Sequence, residues 1–331
     1  YVEKCLASVM AQAEPDIECI VVDDASTDGS LEIVRRLINA YRGPVEFRLE
    51  IHGQNRGQSA ARNTGTRLAT GECVFYLDSD DELLPDGLAR LAAVARQDGP
   101  DFVIGAHAVC GKGDPVVSPR LGPGLIEGGD EILSAFLRGD WPLMPWNKLL
   151  RREFIERNQL RFEEGLVLED ELWSLIVACR AKTMGVVEQA TYLQRIRDNS
   201  TMTSNAVARR FSSWMNILRL MDSFVKSEGL DGNIPLKEYI EVRRSELSER
   251  ARRSGGNSYE IYQREIRGAA RFDRRVFRAM GLGWKIRYLH YLLPVPLGYA
   301  YLWGTMRVIP WLARMRRIRP SDFMDGPCPR R

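Results

Sequence analysis

Aspartates are the residues through which this chain could do chemistry. The stretch FYLDSDDE sets Asp78, Asp80, Asp81 and Glu82 directly after an apolar run, and VVDDASTDGS sets Asp23 and Asp24 at the end of another. Carboxylates this close raise one another's pKa unless a cation offsets their charge. A hard divalent ion, Mg2+ or Mn2+, does so with one or two carboxylates and completes its shell with water and substrate phosphates. Asp78 and Asp80 therefore read as a metal–nucleotide site; the competing reading is a solvated turn capping a helix that has Pro85 in its first position. In the upstream cluster Thr27, Asp28 and Ser30 suit a helix cap. Asp23 and Asp24 are then left to accept from a nucleobase N–H or a ribose hydroxyl.

Histidine is scarce. His52, His107 and His290 lie far apart in sequence, and the six cysteines, at 5, 19, 73, 110, 179 and 328, show no paired spacing. A zinc site or a histidine-based triad lacks material, and the thiols read as reduced and mostly buried. Acid–base chemistry therefore falls to carboxylates. LEDELW places Glu169 and Asp170 at the start of an apolar helix, where acids complement the helix dipole and where one could also serve as a general base. Arg62 sits within the small-residue surface of NRGQSAARNTGTRLATGE. It could neutralise the acids or contact a nucleotide, or its long side chain could simply reach solvent.

The frame that positions these residues is an alternation of strands and helices. Strands are expected at 17–22, 45–51, 73–77 and 102–106, and helices at 29–41, 58–69 and 85–96. Such alternation predicts an α/β fold with a mostly parallel, doubly wound sheet covered on both faces. Ligands of such sheets sit at the carboxyl ends of the strands, where both acidic clusters fall. A glycine- and proline-rich stretch, 111–128, reads as a loop or hairpin. From 206 onward the chain is charged and helical. With 331 residues, 44% hydrophobic and 27% charged, the chain is globular in composition and long enough for two units. The expected boundary lies near residue 205.

Taken in order, IVVDDASTDGS, NRGQSAARNTGTRLATGE, FYLDSDDELLPDGL and LEDELW resemble the family 2 inverting glycosyltransferases, of GT-A fold. WNKLLRREFI and YLQRIRDNSTM resemble stretches of bacterial polysaccharide and lipid-oligosaccharide members. The resemblance covers 1–205. It implies a Rossmann-like GT-A domain that transfers a sugar from a nucleotide sugar, UDP-linked by expectation, to a hydroxyl of a glycan or lipid-linked acceptor. Asp23 or Asp24 would meet the base and ribose, with Arg62 close to the uracil or diphosphate. Asp80 would be the direct ligand of Mn2+ or Mg2+, with Asp78 nearer the ribose and sharing the Asp-x-Asp motif. Asp170 would be the base and Glu169 a neighbour contacting substrate, while Arg195 or Arg197 would reach the diphosphate. Trp146, Asn147 and Lys148 would line the sugar end of the cleft. Family members usually open with an apolar strand that Tyr1 would directly follow, so an interior strand position is expected to stand open.

The region 206–331 reads as a helical extension. The formal charge of +3 hides an asymmetry, because nine Lys or Arg and two Asp fall from Trp284 onward. YLHYLLPVPLGYAYLWGTM, 288–306, lacks Asp, Glu, Lys and Arg and approaches the ~20 residues that span a bilayer. Its prolines and basic flanks, about 284–319, instead suit an interfacial segment on an anionic membrane, the alternative being a tail packed on its own domain. Peripheral attachment to the cytoplasmic face of the cell membrane follows as an expectation, with no nucleic-acid partner. Two rival readings remain. A nucleotidyltransferase would share the sheet and the acids, but no glycine-rich phosphate loop is visible; a catalytically silent, membrane-attached binding protein would keep the fold.

Overall fold

The computed structural model describes residues 1–14, 16–110, 115–196, 207–253, 258–268 and 270–315. They fall into two compact units, one of Tyr1–Phe136 with Asp140–Ser204 and one of Leu137–Gly139 with Asn205–Arg331.

The first unit runs α1 (Val2–Met10), β1 (Glu18–Asp23), α2 (Ser30–Ala40), β2 (Glu46–Ile51), α3 (Gln58–Leu68), β3 (Cys73–Phe75), β4 (Glu82–Leu83), α4 (Gly87–Asp98) and β5 (Phe102–Cys110). It continues through β6 (Val116–Val117), β7 (Gly124–Glu127), α5 (Gly129–Arg138), β8 (Lys148–Arg151), α6 (Arg152–Arg157), α7 (Asp170–Arg180) and β9 (Thr183–Arg195). The expected strand–helix alternation is present up to β5, and the glycine- and proline-rich stretch contributes the short strands β6 and β7.

Apolar runs set the sheet centre. β5, FVIGAHAVC, buries Phe102, Val103, Ile104 and Ala106 completely, as a strand covered on both faces must. β3, β5 and β9 share one direction: β8 lies antiparallel between β3 and β5, and β9 pairs parallel with β5. The short strands β4, β6 and β7 join antiparallel. β1 and β2 form a separate parallel pair. Between β1 and β3 lies a cleft of 270 Å³, lined by Ile20 and Val22 of β1, Ala61 and Gly65 of α3, and Val74 and Phe75 of β3. The facing edges of β1 and β3 have no ladder partner among the described residues.

Two close approaches need glycine. A Cβ on Gly87 would stand 2.4 Å from the Thr191 carbonyl oxygen, so α4 can start against β9 only without a side chain there. At Gly105 a Cβ would stand 2.2 Å from Thr191 Oγ1.

The second unit is helical: α8 (Val207–Ser227), α9 (Ile234–Arg253), α10 (Ser258–Ile261), α11 (Arg274–Ala279), α12 (Leu282–Tyr288) and α13 (Val295–Met315). Its core gathers Tyr262, Ile266, Trp284, Tyr288, Tyr291 and Leu302. The uncharged run 288–306 is therefore divided. A 3-10 turn over Leu289–Leu292 and an extended Leu293 interrupt it, and Tyr288, His290, Tyr291 and Leu302 point into the unit. Leu292 and Leu297 are 60% and 61% exposed. Among the described residues no helix is long and apolar enough to cross a membrane.

Candidate active site

Arg62 is the hub of the site. The small residues of α3 let it pack on the sheet, with Ser59 and Ala60 buried, and this carries Arg62 inward to 8% side-chain exposure. Nη2 donates to Asp78 Oδ1 at 2.9 Å, while Nη1 donates to Glu169 Oε1 at 2.9 Å and to Asp170 Oδ1 at 3.0 Å. The guanidinium lies 5.1 Å from the Phe162 ring centroid, a cation–π distance. Burial opposes its charge, but Asp78, Asp170 and Glu169 overcome that and raise its pKa. The alternative of a side chain reaching solvent does not hold.

The acids around it feel the reverse balance. Burial is the largest influence on Asp170 and raises its carboxyl well above the ordinary range; Arg62 counters this, and Glu169 and Asp78 add to it. Glu169 is raised by burial in the same way, with Arg62 opposing. An acid poised nearer neutrality can accept a proton at physiological pH and later release it.

The chain beyond β3 turns sharply, with Asp81 N donating to Asp78 O at 3.0 Å. Potential ligand oxygens of Asp78, Asp80 and Asp81 all lie within 4.8 Å of one another. Asp81 is buried, its Oδ2 accepting from Tyr192 at 2.7 Å and its Oδ1 from Arg195 N at 2.7 Å. Burial lifts its pKa to about 6, the two hydrogen bonds oppose this, and Asp80 and Asp78 add to the rise. Asp78 Oδ1 is held by Arg62 and by Gln58 Nε2 at 3.2 Å. Hard oxygens this close, in a corner whose like charges push a carboxyl upward, fit a divalent cation. Asp78 and Asp80 would hold it, with Asp81 bracing the turn.

The pair at the end of β1 divides its work. Asp23 is buried and its Oδ2 accepts from Ser26 N at 3.2 Å. The Asp24 carboxylate accepts from Gly57 N at 2.6 Å, Arg56 N at 2.9 Å and His52 Nδ1 at 2.6 Å. Burial disfavours its charge, yet bonds from Arg56, His52 and Gly57 outweigh that and hold its pKa low. Asp24 is thus a structural clasp between the end of β1 and the loop before α3. Sequence reading passed over His52, Gln58 and Tyr192. His52 directly follows β2, at the strand end where such sheets place site residues, and that position was the available signal.

Other candidates sit elsewhere than expected. Trp146, Asn147 and Lys148 are interior residues rather than a cleft wall. Trp146 stacks on Tyr192 with centroids 4.6 Å apart. Asn147, at φ 58, donates to Gly105 O at 2.8 Å and accepts from Thr191 Oγ1 at 2.6 Å. Lys148 has no exposed surface and donates to the carbonyls of Pro142, at 2.7 Å, and Met144; burial pulls its pKa down to about 7, with Asp170 opposing. β8 is paired along both edges, with β3 and β5, and Trp146, Asn147, Lys148, Leu149 and Leu150 are all buried. Arg195 comes to the acidic corner, but its Nε donates to Glu82 Oε1 at 2.7 Å, so its guanidinium is paired there instead of standing ready for a diphosphate. Arg197 lies outside the described residues. The five described cysteines are free thiols.

Residues 1–158 match the family model described as Glycosyl transferase family 2. The chain is 29% identical over 202 residues to the uncharacterized glycosyltransferase YibD of Escherichia coli K12, covering 59% of this chain and 58% of that protein. It is 27% identical over 198 residues to the poly(ribitol-phosphate) β-N-acetylglucosaminyltransferase TarP of Staphylococcus aureus N315, covering 59% of this chain and 58% of that protein. The matched segment thus spans a little under three fifths of these two relatives. The crystal structure of S. aureus TarS 1–349 in complex with UDP-GlcNAc superposes with a TM-score of 0.61 at 20% identity, over 96% of this chain and 88% of that one. Residues 1–158, a little under half of the chain, thus match glycosyl transferase family 2 in sequence, and in architecture the chain has the GT-A fold.

Proposed function

We propose that the chain is an inverting glycosyltransferase that moves a sugar from a nucleotide sugar to an acceptor hydroxyl, with residues 1–205 as the transferring domain and 206–331 as a helical extension. One observation carries this reading. Asp78 and Asp170, distant in sequence, meet on one guanidinium at 2.9 and 3.0 Å, so a donor-side acid and a candidate base flank a single small space.

In this reading Asp23 receives the base or ribose. Asp78 and Asp80 hold a divalent cation, which when bound neutralises the diphosphate of the leaving group. Arg62 faces the same charge. Asp170 takes the proton of the acceptor hydroxyl as the acceptor oxygen bonds to the anomeric carbon; the bond from that carbon to the diphosphate oxygen breaks on the opposite side, which inverts the centre. The nucleoside diphosphate leaves with the bonding pair. A positioned base of this kind contributes ~100- to 10,000-fold.

A UDP donor is supported by the likeness to TarS, whose crystal structure is a complex with UDP-GlcNAc. A polymeric acceptor is supported by TarP, whose name specifies poly(ribitol-phosphate). The exposed Leu292 and Leu297 and the basic carboxyl-terminal sequence support attachment to an anionic membrane face, on the cytoplasmic side where nucleotide sugars are supplied. The test is a screen of nucleotide sugars for Mn2+-dependent release of nucleoside diphosphate. Asp170→Asn should lose release and transfer while still binding donor, and Asp80→Ala should lose metal-dependent binding. Turnover at the wild-type rate by Asp170→Asn would refute the assignment of the base.

A further inference from the structure

His52 is a buried ionisable residue that the proposed reaction does not use. Its side chain is 6% exposed, and both ring nitrogens have partners: Nδ1 lies 2.6 Å from Asp24 Oδ1 and Nε2 lies 3.0 Å from Thr64 Oγ1. Its own amide donates to Asp23 O at 2.9 Å. Asp24 in turn accepts from Arg56 N and Gly57 N, the last amides before α3, and Asn55 Nδ2 donates to the Asp24 carbonyl at 3.1 Å. Thr64 is on α3, two residues beyond Arg62. The imidazole therefore links the end of β1 to the body of α3, while Asp24 grips the loop that leads into the helix.

Such a link has a cost. Placing an imidazole in the interior requires partners for both nitrogens, where an apolar side chain would require none. What it supplies is direction, because the two nitrogens fix two hydrogen bonds on different edges of one rigid ring. α3 needs that direction. Its buried small residues are Ser59 and Ala60, which permit close approach but offer few interlocking side chains to resist sliding along the sheet, and its Ala61 and Gly65 line the open cleft. A displacement of α3 by about 1 Å would break the geometry at Arg62, and errors of that size can cost ~100-fold in rate.

We infer that His52 is a positioning residue: by bridging Asp24 to Thr64 it sets where α3 lies on the sheet, and so holds the Arg62 guanidinium between Asp78 and Asp170. Its effect on rate rests on the proposed function; its effect on geometry does not.

The test compares wild type with His52→Asn, which retains an amide toward Asp24 but falls short of Thr64, with Thr64→Val, which removes the hydroxyl at nearly constant shape, and with Arg62→Gln. The first readout is the titration midpoint of the Asp170 carboxyl, followed by carbon-13 NMR in aspartate-labelled protein and assigned through Asp170→Asn. The second is turnover of the nucleotide sugar found by the donor screen. His52→Asn and Thr64→Val should each move the midpoint upward, as Arg62→Gln does, because the carboxyl loses its guanidinium. Turnover should fall by ~10- to 100-fold, and the double variant should lose no more than either single one, because both remove the same link. Midpoints that stay at the wild-type value in both variants overturn the inference, as does a full additive loss in the double variant. Shifted midpoints in a protein that turns over no nucleotide sugar uphold the positioning role and remove the enzymatic reading instead.

Discussion

Arg62 balances Asp78, Glu169 and Asp170 at once, so its replacement tests the site harder than loss of any one acid. Breaking a buried ion pair from one side costs about 3–5 kcal/mol because the partner charge stays behind. Arg62→Gln should therefore lower both thermal stability and turnover, measured by calorimetry and by diphosphate release. Asp170 gives a sign-determined pH prediction. Its folded pKa is raised relative to ~3.9 when unfolded, so wild type loses stability from this group as pH rises through that window. Asp170→Asn lacks the titration, and its stability relative to wild type should rise between pH 4 and pH 8 in denaturant melts. In catalysis the base must be ionised, so kcat/KM should fall with decreasing pH at a midpoint nearer neutrality than to pH 4. Charge made Asp78, Asp80 and Asp170 conspicuous in the sequence, and the structure gathers Asp78 and Asp170 around Arg62. At Asp24 a sequence shows a carboxylate but not the amides of Arg56 and Gly57 that it accepts from.

At the level of elements, the strand–helix rhythm up to β5 could be read because each strand is a short apolar run and each helix an amphipathic one. The reversed strand β8 was harder. WNKLLRREFI carries basic residues beside its apolar ones, and only the tertiary fold shows that Lys148 finds carbonyl partners inside. The knot of Asn147, Gly105 and Thr191 that anchors β8 leaves no periodic trace. It gives a measurable expectation: Asn147→Ala removes buried hydrogen bonds and should destabilise the first unit by about 1–3 kcal/mol. Gly87→Ala should cost a similar ~1–3 kcal/mol, since its Cβ would press on the Thr191 carbonyl. Hydrogen exchange adds a contrast between strands. Amides of β5, paired on both sides, should exchange far more slowly than those of β1, which among the described residues is paired on one side, with β2.

Across the whole molecule, the chain forms two compact units. The aromatic run near the carboxyl terminus was legible only in part. Hydropathy could not distinguish Tyr288 and Tyr291, which face the core of their unit, from Leu292 and Leu297, which face solvent. If the exposed leucines meet a membrane, Leu292→Asp with Leu297→Asp should weaken sedimentation with anionic vesicles more than with neutral ones. Added salt should weaken the wild-type interaction too, because basic side chains act over a Debye length of ~8 Å at physiological ionic strength. The proposed transfer would depend on the acidic corner, where Asp78 and Asp80 would share a divalent ion with a diphosphate opposite Asp170. Calorimetric titration of UDP with and without Mn2+ tests it most directly. Affinity should rise at least ~10-fold with Mn2+, a gain of about 1.4 kcal/mol, and Asp80→Ala should erase the gain; equal affinities with and without the ion in the wild-type protein would contradict it.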